Sequence, residues 1–326
     1  MKRYTTRWLA CAAATLALTV SLPALAQTKL KFAHVYETSE PYHKWAVWAA
    51  GEIKQRTAGR YEMEVFPASQ LGKETDINQG LTLGTVDVIY TGQAFAARTY
   101  PPLAIGGAPF MFRDFDHWKK YSQSALLQEL MDGYFKKGGN KPVAVTYYGV
   151  RHTTANKAIN KPEDMQGLKL RVPDAPLFTM FPKAVGANPT PIAFAEVYLA
   201  LQNGTVDGQE NPLPTIEAKK FYEVQKHIML TGHITESLLT IVGSSTWAKL
   251  PEADKKLFSD VLWEASTRAT SDIVEAENRL VADFQKRGVS VLKVDRGPFI
   301  AAVQKSLTSP DAPWPKALYD RVQAIK

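Results

Sequence analysis

The chain contains a single cysteine, Cys11, and it falls inside an N-terminal segment that reads as a leader. That segment opens with Lys2, Arg3 and Arg7, runs on through apolar residues, and reaches Ala24-Leu25-Ala26 before Gln27. This is the three-part layout of a secretory signal peptide over residues 1–26, with an apolar run too short for a stable membrane span. A lipid-attachment cysteine should close the apolar run, whereas most of the run lies beyond Cys11. Cleavage after Ala26 leaves 300 residues with no cysteine. The mature chain is therefore expected to be exported, without disulfides and without thiol chemistry. No later stretch is apolar and long enough to cross a bilayer.

Other absences narrow the function. The leader removes three basic and no acidic residues, so a formal charge of +7 falls to +4. The remaining excess is scattered, with no basic block, which argues against nucleic acid and suits anionic small solutes. There is no G-x-S-x-G, no H-E-x-x-H, and the six histidines (His34, His43, His117, His152, His227, His233) form no zinc motif. The rival class, a secreted hydrolase, thus lacks its usual signatures, and neither a metal site nor a cofactor is indicated. No low-complexity tract or Gly/Ser/Pro-rich linker interrupts the chain. Its length predicts two domains, joined by ordered crossings.

What is present is alternation. LKFAHV (30–35) reads as a buried strand and WAVWAAGEIKQRT (45–57) as an amphipathic helix. YEMEVF follows as a strand, ETDINQGLTL as a helix and VDVIY as a strand. This β-α-β-α-β series is the unit of a mostly parallel sheet in an α/β fold. The second half repeats the theme. Strands are expected at VAVTYY and LKLRV, helices around LFTMFPKAV (with Pro182 a kink or a late start) and over FAEVYLALQ, and a strand from Thr205.

GTVD occurs twice, at 84–87 and 204–207. Each copy follows a predicted helix, where glycine takes the left-handed conformation without steric cost. The motif reads as a structural joint. Ligands of open α/β sheets bind at the carboxyl ends of strands, so Tyr90-Thr91-Gly92 and Gln209-Glu210-Asn211-Pro212, just past the joints, become candidate cleft walls. Near the C-terminus, residues 251–288 hold no internal proline or glycine. Leu257, Val261, Leu262, Ala265, Ala269, Ile273, Ala276 and Leu280 recur there at helical spacing. Such a helix is about 50 Å long and reaches across two domains. It lacks the leucine-rich heptads of a coiled coil.

Three residues stand out as ligand contacts. Arg171 sits between Leu170 and Val172 in a half-buried strand that Pro173 ends, where a guanidinium needs an anion or an internal carboxylate. Its planar fork suits a carboxylate bidentately. Arg151 follows VAVTYYGV and is expected at or beyond a strand end, facing the ligand or solvent. Asn211, held extended by Pro212, offers both a donor and an acceptor, or makes an ordinary turn.

GLKLRVPDAP, PIAFAEVYLALQNGTVDGQENPLPTIEAKKFYEVQKHI and YYGVRHTTANKAI, with FPASQLGKE and LGTVDVIYTG, closely resemble the DctP-type solute-binding proteins of TRAP transporters. The resemblance covers nearly all of residues 27–326. It implies a periplasmic, non-enzymatic protein with two α/β domains, a ligand cleft between them, a long C-terminal helix bracing both, and a sodium-driven membrane permease as partner. The domains it implies are residues 27–148 with 236–271, and 149–235 with 272–326. Arg171 matches the family's principal carboxylate-binding arginine, Arg151 a second arginine of many members, and Asn211 the asparagine beside the carboxylate.

By the same resemblance Phe194 is placed against the ligand, and Glu74 and Asp174 fall near the cleft as acceptors for hydroxyls. His34, Tyr36 and Glu40 follow the first strand, and one or two of them are expected to line the pocket. Members that bind sialic acid carry polar or charged groups where this chain has Val35, Gly92 and Phe95, which argues against a nine-carbon sugar acid. A six-carbon sugar acid such as a hexuronate is the expected ligand. A compact acid such as pyroglutamate and a C4-dicarboxylate are the alternatives.

Overall fold

A computed structural model of the chain describes residues 27–326; the expected signal peptide and Cys11 lie outside them. Among the described residues nine strands share one sheet. They are β1 (Thr28–Ala33), β2 (Tyr61–Phe66), β3 (Val88–Gly92), β4 (Lys141–Ala155), β5 (Lys169–Val172), β6 (Asn188–Pro191), β7 (Gly208–Pro212), β8 (His227–Val242) and β9 (Ser290–Leu292). The order is β2-β1-β3-β8-β4-β7-β5-β6, with β9 on β8.

The expected alternation produces the two ends of this sheet. β1 runs parallel to β2 and β3, and β5 runs parallel to β6 and β7. The middle differs from the expected mostly parallel arrangement. β4 and β8 pair antiparallel along nearly their whole lengths, and β3 and β7 join them antiparallel on either side. These two long strands are the ordered crossings between the halves. β8 carries no alternating pattern, because all but its two half-buried residues, His227 and Leu230, are buried, polar ones included.

Both GTVD joints have the same construction. Gly84 and Gly204 take φ values of 75° and 70°, the left-handed helix stop. Asp87 then donates its N–H to Lys31 O at 3.0 Å and accepts from Lys31 N at 2.8 Å through Oδ2. Asp207 does the same to Lys169, at 2.9 and 2.8 Å. The aspartate thus pins the neighbouring parallel strand in each half, so the whole motif serves architecture.

The long helix spans Glu252–Lys286. Its predicted stripe is buried except for Leu257, which is half-buried. Phe258 packs edge-on against Tyr61 in the first half, and Phe284 packs against Tyr222 in the second. Ser266 Oγ donates to Val145 O at 2.9 Å, Thr270 Oγ1 accepts from Tyr147 N at 3.1 Å, and Glu277 Oε1 accepts from Val150 N at 2.7 Å. The helix is therefore stitched along β4 where that strand passes from one half to the other. Pro182 sits in the first turn of the helix Met180–Ala184, after a 3₁₀ turn at Pro176–Thr179. Its missing N–H removes no helical bond there.

Candidate functional site

The turn after β3 and the end of β7 contribute to a small cavity of about 40 Å³. The cavity is lined by Val35, Tyr36, Lys73, Glu74, Thr75, Phe95, Tyr148, Arg151, Arg171, Pro173, Asp174, Phe178, Ala193, Phe194, Asn211 and Glu236. Residues from the two halves also touch one another. Arg98 Nη2 donates to Asp174 O at 2.6 Å, Lys219 Nζ meets Glu37 Oε1 at 2.7 Å, and the Phe95 and Phe178 rings lie 6.3 Å apart.

Arg171 projects from β5 and is only 1 % exposed. Its Nε and Nη2 both donate to Ile192 O, at 2.9 and 2.6 Å, which fixes the plane of the guanidinium. It makes no salt bridge with any described carboxylate, and Nη1 is buried without a partner. Burial holds its pKa down at about 10, against Glu210, and with Arg151 adding to the fall. A cation is thus held in place with one edge unspent. The cost of an unpaired buried donor is recovered only when an anion arrives.

Arg151 is the opposite case. It lies inside β4, not at its end, because the strand continues to Ala155. Nε donates to Glu210 Oε2 at 2.5 Å, Nη2 donates to Glu210 Oε1 and O at 2.7 and 2.6 Å, and Nη1 bonds Glu236 Oε2. Burial opposes its charge, but Glu210 and Glu236 more than offset that and hold its pKa well above the ordinary value. Arg151 reaches the cavity wall already neutralised.

Two carboxyl groups also line the cavity. Glu74, at the start of the helix Glu74–Leu83, accepts from Gly92 N at 2.8 Å and from Thr91 Oγ1 at 2.9 Å. Burial nonetheless raises it to about 7. Glu236, from β8, is also raised by burial, against the pull of Arg151. A Cβ on Gly92 would lie 3.0 Å from Glu236 Oε1 and 3.7 Å from Glu74 Oε1. The glycine therefore leaves open the space that the two carboxyls flank.

Asn211, near the end of β7, is 1 % exposed; its Oδ1 lies 3.3 Å from the Tyr148 hydroxyl and its Nδ2 donates to Gln209 Oε1 at 2.6 Å. Phe194 opens a short 3₁₀ turn beside Tyr36, the ring centroids 6.2 Å apart.

Of the residues singled out from sequence, Arg171, Arg151, Asn211, Phe194, Glu74, Asp174 and Tyr36 line the cavity. His34 and Glu40 do not. The His34 ring packs behind Tyr36 against His43, Nε2 to Nδ1 at 3.3 Å, and burial, then His43, lowers it to about 3. Glu40 turns inward to Thr215 Oγ1 at 2.8 Å. Tyr148, Phe178, Lys73 and Glu236 were missed. Glu236 had a readable signal, a lone acid inside the run HITESLLTIV, the same clue that marked Arg171.

The family model for bacterial extracellular solute-binding protein, family 7 (DctP), matches residues 32–309. The chain belongs to this family. This solute-binding protein is 35 % identical over 291 residues to the sialic acid-binding periplasmic protein of Vibrio cholerae, covering 89 % of this chain and 91 % of that one. A TRAP periplasmic solute-binding protein from Polaromonas sp. JS666, bound to D-erythronate, superposes with a TM-score of 0.88 at 34 % identity, over 92 % of this chain and 99 % of that one. Another, from Roseobacter denitrificans with bound L-galactonate, gives 0.84 at 32 % identity, over 90 % and 99 %. The two-domain α/β fold with its bracing helix is that of TRAP solute-binding proteins, whose family is periplasmic. Among the described residues no helix is long and apolar enough to cross a membrane.

Proposed function

We propose that this solute-binding protein captures a hydroxylated carboxylic acid, with a six-carbon sugar acid the preferred ligand, and delivers it unchanged to a TRAP permease. The observation that carries the reading is the unpartnered Nη1 of Arg171 on the cavity wall. Arg171 anchors the carboxylate, Asn211 donates beside it, and Arg151 shapes the wall. Glu74 and Glu236 accept from ligand hydroxyls, while Tyr36, Phe194 and Phe178 enclose the carbon chain. Relatives that bind D-erythronate and L-galactonate support the class.

A C4-dicarboxylate without hydroxyls fits less well, because it brings no hydroxyl donors for Glu74 and Glu236. Pyroglutamate brings too few hydroxyl donors for those two acceptors. The domain division is residues 27–148 with 236–271 against 149–235 with 272–326; the middle one of three register shifts between β4 and β8, at Tyr147 and Gly149, falls on it. Closure is a hinge motion there. The test is a thermal-shift screen with D-galacturonate, L-galactonate, D-erythronate, pyroglutamate and succinate, each recovered afterwards for analysis. A ligand at a hundred times its Kd stabilises by about 2.7 kcal/mol. Stabilisation by succinate alone would refute the hydroxy-acid reading, and conversion of any acid to product would refute the binding role.

A further inference from the structure

Glu40 takes no part in the cavity wall, yet it ends a buried chain of polar groups that begins there. Asn211 Oδ1 lies 3.3 Å from the Tyr148 hydroxyl, Tyr148 lies 3.1 Å from Thr215 Oγ1, and Thr215 lies 2.8 Å from Glu40 Oε1. All four residues are buried. They come from the loop after β1, from β4, from β7 and from the short helix Leu213–Ala218. Both ends are tied down: Glu37 N donates to Glu40 Oε2 at 2.8 Å, and Asn211 Nδ2 donates to Gln209.

Each hydroxyl carries a single hydrogen, so the carboxyl sets the direction of the chain. With Glu40 ionised, Thr215 donates to Glu40, and Thr215 Oγ1 and Asn211 Oδ1 compete for the single Tyr148 hydrogen. With Glu40 protonated on Oε1, the carboxyl donates to Thr215, Thr215 to Tyr148, and Tyr148 to Asn211 Oδ1. Only the second arrangement commits the Tyr148 hydrogen to the amide oxygen, and so fixes the amide whose Nδ2 donates to Gln209 more firmly.

We propose that Glu40 is a positioning residue for the carboxylate site, its proton setting the direction of the Thr215–Tyr148 relay and hence how firmly the Asn211 amide presents its N–H to a bound acid. The effect on affinity rests on the solute-binding role above; the relay itself belongs to the ligand-free chain. Burial raises the Glu40 carboxyl to about 7, against the Glu37 N–H and the Thr215 hydroxyl, so the reversal falls near neutral pH. Among the charged groups around it, Glu37 and Lys219 neutralise one another at 2.7 Å. Tyr42 and Tyr148 face the carboxyl region from the buried side, and burial raises both well above their ordinary values. On the surface groove behind Glu40 lie Lys44, Glu217, Lys220, Asp272, Glu275 and Arg279, a mixed set of both signs.

The test follows the side-chain amide of Asn211 by NMR in ligand-free, isotopically labelled protein between pH 5.5 and 8.5, beside the carboxyl carbon of Glu40. In the unsubstituted protein the amide signal is expected to move with the midpoint of Glu40. In Glu40→Gln that movement disappears. In Thr215→Val, Glu40 still titrates while Asn211 no longer follows, which separates the relay from a through-space field. An Asn211 response that survives unchanged in Glu40→Gln, as Glu74 or Glu236 would produce, overturns the proposal, and so does an amide that never moves. Calorimetry with L-galactonate forms the second arm. Binding is expected to be weaker at pH 8 than at pH 6, with a several-fold part of that difference lost in Glu40→Gln; the part that remains belongs to Glu74 and Glu236, and a difference unchanged in Glu40→Gln overturns the effect on affinity. If L-galactonate does not bind at any pH, that ligand assignment fails, while the amide titration still decides the relay.

Discussion

Arg171 and Ile192 are joined by a fork: two guanidinium nitrogens share one carbonyl oxygen, at 2.9 and 2.6 Å. The carbonyl fixes the orientation of the side chain without cancelling its charge. A carboxylate in that position would have ended the site's usefulness to a guest anion, because the ion pair would already be complete.

Arg171→Ala is accordingly expected to abolish ligand-induced stabilisation and to weaken binding by roughly 2–5 kcal/mol, while the ligand-free melting temperature stays within a few degrees. Arg171→Lys should also lose well over tenfold in affinity, about 1.4 kcal/mol or more, because a point charge cannot form the bidentate pair. Calorimetric titration checks both, and unchanged affinity in either variant removes the anchor.

Arg151 should behave differently. Its substitution leaves Glu210 and Glu236 buried without their cation. Breaking a buried pair in this way costs roughly 3–5 kcal/mol, so Arg151→Ala is expected to lower the urea midpoint strongly even without ligand. A variant that unfolds like the parent and merely binds less would mean that this arginine serves the ligand directly.

Gly149 takes a φ of 119°, and a Cβ there would stand 2.7 Å from Glu277 Oε1 and 2.8 Å from Pro212 Cβ. Gly149→Ala combines backbone strain with a clash where β4 passes between the halves. It is expected to cost roughly 2–4 kcal/mol in urea unfolding. A neutral result would show that this crossing yields freely.

Glu277 sets a pH dependence of uncommon sign. Burial lifts its carboxyl to about 7, against the Val150 N–H and the Tyr147 hydroxyl. The folded chain therefore holds the proton more tightly than the unfolded chain, whose glutamate titrates near 4.3. The stability that this proton provides is complete below the unfolded value and is lost as pH rises to about 7. Glu277→Gln should flatten the stability profile between pH 5 and pH 8 by on the order of 1–3 kcal/mol. Urea midpoints at the two pH values check this, and an identical slope in both proteins counts against the assignment.

Much of this could be read along the chain because it depends on near neighbours. The short parallel strands and the long helix show in the spacing of apolar residues, since each element buries one face or stripe. Both GTVD joints show in their glycines, because the left-handed helix stop is a local requirement. Arg171 showed itself as a charge between two buried aliphatics, and the structure places it on the cavity wall.

Only the tertiary structure revealed what depends on distant partners. β8 has no sequence rhythm, because with almost every residue buried no exposed face marks a period. Arg151 looked like a second free cation until the fold brought it to Glu210 and Glu236, 59 and 85 positions away. Glu40 looked like a pocket residue until Thr215, 175 positions later, drew it inward. Local sequence determines which backbone conformations and buried faces are affordable. Whether a buried charge or hydroxyl is already satisfied depends on groups that only folding assembles, and that satisfaction separates the vacant guanidinium from the occupied one.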